Sequence, residues 1–144
     1  NPNRICIDNY GDILYTTAYD QVFRLNRSDA SVELVAGTYN TASSTGDGGF
    51  AKDATFSYLA GIAVDSRHRL FVIESQTHHP PKGYQGPNGD RVKVFEDTDN
   101  DGNPDKVSVF AEGLYQGMNL AFSPEGILYM VCSREVFAFP ELKR

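Results

Sequence analysis

Apolar and polar residues alternate with a period of two along most of this chain, and polar corners interrupt the alternation at regular intervals. Over residues 61–75, GIAVDSRHRLFVIES, the pattern predicts a strand carrying Ile62 and Val64 on one face, a polar turn, and a second strand over 70–73. The same pattern recurs in RICIDNYGDILYTT at 4–17 and in NLAFSPEGILYMVC at 119–132. Asp8, Asp65 and Ser123 hold one place in it, separated by 57 and then 58 residues. Each unit continues in register into a third strand: QVFRLN from Gln21, DRVKVFED from Asp90 and EVFAFP from Glu135.

A recurring unit of three or four short antiparallel strands is the signature of a β-propeller blade. Strands at 5–8, 13–17, 22–26 and 32–36 make a complete first blade over about 4–36, followed by a link at 37–60. A second blade covers about 61–114. A partial third, with strands at 119–122, 127–131 and 136–139, covers about 118–140. No window repeats apolar residues at helical spacing, so the class is all-β. Two complete four-stranded blades and a partial third cannot close a ring and would leave pairing edges open. Residues 1–144 are therefore expected to be an open arc: a fragment, or one part of a ring completed by the remainder of the propeller on the same or another chain.

Composition fits that layered core, with 40% hydrophobic residues including eight Tyr and nine Phe. A net charge of −6 argues against a nucleic-acid partner, which needs a Lys/Arg-rich surface. No apolar run approaches the length of a membrane span. No charged-then-apolar leader opens the chain, which begins just before a strand, as expected if a leader were removed. Cys6 aligns with Ala63 and Ala121 in a small-residue slot, and nothing requires it to pair with Cys132. The absence of C-x-x-C-H excludes covalent haem attachment.

Three segments depart from the repeat. The link GTYNTASSTGDGGFAKDATFSYLA is longer than most structureless connections. Its Gly46, Asp47, Gly48 and Gly49 read as a turn in which glycines supply positive φ and Asp47 bonds nearby backbone amides. No Lys follows and no helix opens, which counts against a phosphate cradle. The insertion QTHHPPKGYQGPNG at 76–89 has the Pro/Gly corners of an ordered Ω-like loop. Its adjacent His78 and His79 point opposite ways if extended, so one of them at most serves a given site, as general base or metal ligand. Glu74 and Lys82 keep it company. Three His in all, two of them adjacent, are too few to favour a zinc-dependent lyase.

The third segment carries Asp97, Asp99, Asp101, Gly102, Asn103 and Asp105, matching the first nine positions of a calcium loop. Carboxylate oxygens suit a hard cation, Gly102 permits the sharp turn, and Asn103 would offer its backbone carbonyl. Four carboxylates this close would repel one another without a cation. Ser108 stands at the twelfth position, so the bidentate Glu of an EF-hand is missing, and the flanks at 92–95 and 107–110 alternate as strands. The arrangement resembles the calcium-loaded strand turns of FG-GAP-type propellers. With strands running alternately down and up, the link 37–60 and the loop 76–89 emerge on one face, the expected ligand face. The acidic loop emerges on the other.

Residues 35–75, with VAGT, GDGGFA, a short ATF-x-x-L segment and GIAVD, closely resemble the NHL-repeat propellers. From Gly61 onward the chain is similar to the membrane-bound dehydrogenase propellers of planctomycete-type bacteria, relatives of the pyrroloquinoline quinone (PQQ)-dependent sugar dehydrogenases. Glu74-Ser75, Thr77-His78, Pro81-Lys82, Tyr84, Gly86-Pro87, Asp90-Arg91 and the stretch 96–114 carry that resemblance. Where that family shows E-S-H-T-H, Gln76 replaces the first His, His78 matches the second and His79 falls at a variable position. The resemblance implies a periplasmic, cell-envelope or secreted module of a sugar or alcohol dehydrogenase-like protein, stabilised by calcium and using PQQ in its complete form. His78 would be the base, and Lys82 and Arg91 would orient substrate or cofactor. The alternative is a non-enzymatic NHL-type propeller binding protein or glycan, with an aromatic surface around Tyr39, Phe50, Tyr58 and Tyr84.

Overall fold

A computed structural model of the chain describes residues 1–39, 43–77, 82–84 and 87–140. Eleven strands form three antiparallel sheets. Blade 1 is β1 (Pro2–Ile7), β2 (Ile13–Thr17), β3 (Val22–Leu25) and β4 (Val32–Ala36), paired in that order. Blade 2 repeats the meander with β5 (Leu59–Val64), β6 (Leu70–Glu74), β7 (Asp90–Glu96) and β8 (Lys106–Leu114). Blade 3 has β9 (Gly117–Phe122), β10 (Leu128–Cys132) and β11 (Val136–Phe139), with no fourth strand among the described residues. The chain is thus all-β, an open arc of propeller blades. β8 is longer than the alternation suggests because two irregularities in its pairing with β7, around Val92, keep the strands together as far as Leu114.

The repeated corners have one chemical cause. The Asp8 carboxylate accepts the amides of Tyr10 and Asp12, and Asp65 accepts those of Arg67 and Arg69. The Ser123 hydroxyl accepts the Ile127 amide. Each side chain replaces backbone partners that the turn removes.

The first strands of the blades lie side by side, β5 between β1 and β9. Gly61 allows the closest approach, since a Cβ there would stand 2.8 Å from Asn119 Cα. The wedge between blades 1 and 2 is filled by Leu14 and Val22 from one side and Ile62, Val72 and Phe95 from the other. Phe56 and Leu59 from the link complete it. Between blades 2 and 3, Phe71 meets the edges of Phe110 and Phe122 at 5.5 and 5.2 Å, above Leu120, Leu128 and Met130. Full burial of each such side chain contributes roughly 1.5–3 kcal/mol.

Candidate functional site

The register of the sheets makes the blades superimposable residue by residue. Thr17, Glu74 and Cys132 each pair with the first described residue of an inner strand: Pro2, Leu59 and Gly117. Tyr15, Val72 and Met130 pair with Phe23, Lys93 and Phe137. Blade 2 therefore holds a carboxylate and an ammonium where its sisters hold uncharged and aromatic side chains.

Glu74 and Lys93 are fully buried and Arg91 almost so. Glu74 Oε1 accepts the Ser57 amide at 2.9 Å, and Oε2 accepts the Ser44 hydroxyl at 2.7 Å. The same Oε2 lies 3.4 Å from Arg91 Nη2 and 3.5 Å from Lys93 Nζ. Asp47 reaches in from the link, with Oδ2 3.0 Å from Arg91 Nη1 and Oδ1 3.0 Å from Lys93 Nζ. Lys93 Nζ also stands 5.0 Å from the Phe56 ring centroid. Two anions and two cations cancel, which such burial requires, because an uncompensated charge in this position would cost several kcal/mol. Partial burial works to raise the Asp47 carboxyl, but Lys93 and Arg91 outweigh it and hold the group below the ordinary range. Desolvation, with the Glu74 charge adding to it, pushes the nearby Tyr84 hydroxyl up to about 12. Among the described residues, Arg91 Nε, Ser57 Oγ and both amide atoms of Gln76 are buried without a hydrogen-bond partner.

Among the residues expected to act here, Arg91 has both terminal nitrogens committed to Asp47, Ser44 and Glu74. Lys82 is exposed. His78, like His79, lies outside the described residues. Asp47 does not fold back onto the backbone amides of its own turn; its carboxylate goes to Arg91 and Lys93, because Gly46 at φ +91° and its neighbours aim it into the wedge. The link is also not confined to the face where it begins. Gly48 donates to the Val107 carbonyl and Val107 donates to Gly49, beside the acidic loop. Phe50, Lys52 and Asp53 share a recess of about 360 Å³ with Asp99, Asp101 and Asp105.

In that acidic loop, carboxylate oxygens of Asp97, Asp99 and Asp105 lie within 4.8 Å of one another. Asp97 accepts the amides of Asp101 and Gly102, and Asp105 accepts the Thr98 hydroxyl. Asp101 Oδ1 accepts the Asn103 amide, and Asp101 stands outside the trio. The Asp101 amide favours a charged Asp99, yet desolvation and the carboxylates of Asp101, Asp97 and Asp105 together hold Asp99 above the ordinary range.

A second repeated feature joins the blades. Asp20 Oδ1 accepts the Leu59 amide at 3.2 Å, and Asp90 Oδ2 accepts the Gly117 amide at 2.7 Å. Both acids stand immediately before the residue aligned with Arg91 or Gln21, so each blade latches the inner strand of the next. Asp90 is saturated further by Ser75 and by the amide and hydroxyl of Thr77. Asp20 lines an open recess of about 250 Å³ with Asn3, Thr17, Tyr58 and Leu59. Desolvation raises it to about 6 despite its two backbone donors.

The fold is shared with solved propellers. A PQQ-bound aldose sugar dehydrogenase from Streptomyces coelicolor aligns at 15% identity and TM-score 0.58, over 90% of this chain and 36% of that one. An oxidoreductase named as a glucose dehydrogenase from Thermus thermophilus aligns at 16% identity and TM-score 0.59, over 91% and 36%. A virginiamycin B lyase from Staphylococcus aureus aligns at 10% and 0.52, over 99% and 42%. The chain thus spans well under half the length of these structures. No curated relative matches the sequence significantly. A family model, described as a domain of unknown function (DUF7133), matches residues 49–140, which is most of the chain, and the protein belongs to that family.

Proposed function

We propose that the chain is a calcium-stabilised β-propeller module of a sugar or alcohol dehydrogenase-like protein of the periplasm, cell envelope or secreted space. Its ligand face is formed by loops 37–60 and 76–89, and further blades complete the ring. The observation that carries this is the Glu74–Arg91–Lys93–Asp47 cluster, three of its charges buried, which ties the link to blade 2 through Asp47 and has no counterpart among the described residues of blade 1 or blade 3. A repeat that needs only apolar packing does not require three buried charges and a fourth from the link to balance them. Among the described residues no helix is long and apolar enough to cross a membrane.

PQQ is a tricarboxylate, and Arg91 and Lys93 are already neutralised by Glu74 and Asp47. Of the cations expected to orient ligand, Lys82 alone is exposed. The described residues do not make a quinone site by themselves, so quinone binding belongs to the complete ring and no step is derived through it. Arg91 acts here as a positioning residue that holds the link to blade 2 through Asp47 and Ser44, with His78 the proposed base. Titrating PQQ into the intact protein tests the reading. Saturable binding, with sugar-dependent dye reduction abolished in His78→Ala, supports it; no quinone affinity at all would favour the non-enzymatic NHL-type binding module instead.

Asp97, Asp99 and Asp105 are proposed as the calcium ligands, joined by Asp101 and the Asn103 carbonyl after a small rearrangement of the turn. Native mass spectrometry in calcium buffer should show one bound ion, lost on chelation and in Asp99→Asn. An unchanged mass in calcium would remove the metal.

A further inference from the structure

Asp20 and Asp90 perform the same structural task in different company. Each accepts the amide of the next inner strand, at Leu59 or Gly117. Asp90 is also held by two hydroxyls, one on each carboxylate oxygen: Ser75 Oγ lies 3.0 Å from Oδ2, and Thr77 Oγ1 lies 2.9 Å from Oδ1. Blade 1 has neither. Thr17 pairs as Glu74 does, so Ala18 stands where blade 2 has Ser75. The Ala18 amide donates to the Asn1 carbonyl just as the Ser75 amide donates to that of Tyr58. The insertion 76–89, which supplies Thr77, is reduced in blade 1 to Tyr19. Among the described residues no side chain donates to Asp20; its donors are backbone amides.

The space that those hydroxyls fill in blade 2 is open in blade 1. A recess of about 250 Å³ lies against Asp20 and Leu59, and the other polar side chains on its walls are amides and hydroxyls, from Asn1, Asn3, Thr17 and Tyr58. It belongs to the joint between blades 1 and 2, on the face where loop 76–89 leaves blade 2. In this repeat, the segment leading into an inner strand packs in the wedge before its own blade, as Phe56 does ahead of β5. The opening therefore reflects the small side chain at Ala18 and the short turn at Tyr19, both within the joint, and not the place of Asn1 in the chain. Desolvation holds the Asp20 carboxyl above the ordinary range, so the fold keeps this acid at a cost. Groups retained at a cost in stability concentrate where ligands bind.

We propose that this recess binds a vicinal diol of a sugar or polyol, whose two hydroxyls donate to the Asp20 carboxylate as Ser75 and Thr77 donate to Asp90. Blade 2 thus carries within itself the contacts that blade 1 makes with a ligand. Amide and hydroxyl walls add donors and acceptors for the neighbouring hydroxyls of such a molecule. The proposal rests on the reading of this face as one that meets sugars or alcohols. It adds a subsite on blade 1 that requires neither His78, calcium nor quinone.

Nuclear magnetic resonance of the intact protein, carrying isotope-labelled leucine, tests it through the Leu59 amide that donates to Asp20. Titration with D-glucose, or with cyclohexane-1,2-diol, should shift the Leu59 resonance saturably. Cyclohexanol, with a single hydroxyl, should shift it little. Asp20→Asn keeps an acceptor for the Leu59 amide but should weaken the affinity about tenfold. Ala18→Ser, which installs the counterpart of the Ser75 hydroxyl, should compete with the ligand and weaken it several-fold. Circular dichroism confirms that both variants fold. An unmoved Leu59 resonance, an equal response to cyclohexanol, or undiminished affinity in either variant would each overturn the subsite. Saturable quinone binding with an unmoved Leu59 resonance would remove the subsite and leave the dehydrogenase-like reading. A diol-dependent shift in a protein with no quinone affinity would sink that reading and leave the subsite standing.

Discussion

Blade 2 and its two neighbours are built from the same register, yet they fill the same positions with different chemistry. At one position in the third strand, blade 1 has Phe23 and blade 3 has Phe137, while blade 2 has Lys93. At the end of the second strand, Thr17 and Cys132 correspond to Glu74. The aromatic volume is not lost, because Phe56 from the link lies against Lys93 in its place. Where the meander packs only against another meander, apolar side chains suffice. Where a long link has to be held on one blade, the ion pairs of Asp47 with Arg91 and Lys93 add to the apolar anchors Phe56 and Leu59.

The sharpest way to break that contrast is Glu74→Ala. It leaves Arg91 and Lys93 with Asp47 alone and should cost about 3–5 kcal/mol in urea denaturation. The double variant Glu74→Thr with Lys93→Met, closer to the sister blades, should recover most of that loss while releasing the link, seen as faster proteolysis near 44–49. Equal stability of the double variant and Glu74→Ala would show that the charges are not a unit.

The two latches allow a finer comparison. Asp90→Ala strips a buried acceptor from four donors and should cost about 2–3 kcal/mol. Asp20 behaves differently, because its folded-state value of about 6 lies above the ordinary 3.8. The folded chain therefore holds that proton more tightly than the unfolded chain, so Asp20 weakens the fold progressively from about pH 4 to pH 6 and constantly above. Asp20→Asn, which keeps an acceptor for the Leu59 amide, should raise the thermal midpoint by a few degrees at pH 7.5 and have little effect at pH 4. A rise of the same size at both values would separate the effect from the carboxyl's titration.

Much of the fold was legible because the repeat is marked twice, by strand alternation and by Asp8, Asp65 and Ser123 at the corners. The acidic loop was legible for the same kind of reason, since its spacing is local. The charge cluster was less so. Glu74, Asp47 and Lys93 are distant in sequence, and Lys93 sits inside DRVKVFED as an ordinary polar position of an alternating strand. The signal was present in the alignment of the blades, where Lys93 falls in register with two phenylalanines. Asp47 was harder to read: a Gly-rich turn supplies a local explanation for its acid, and only the close packing of the link in the wedge redirects it. The latches were also hidden, because Asp20 follows a tight turn and Asp90 follows a long insertion.

The exchange of hydrogen bonds between the Gly48–Gly49 turn and Val107 has a consequence beyond fastening the link. β8 is the rim strand of blade 2, and its alternating Val107 and Val109 are the kind of flat apolar edge on which a stray strand from another molecule can add. With the outward amide and carbonyl of Val107 already occupied, such a strand finds no free register at that end, and the turn acts as a guard against fibrillar stacking while the chain is still an open arc.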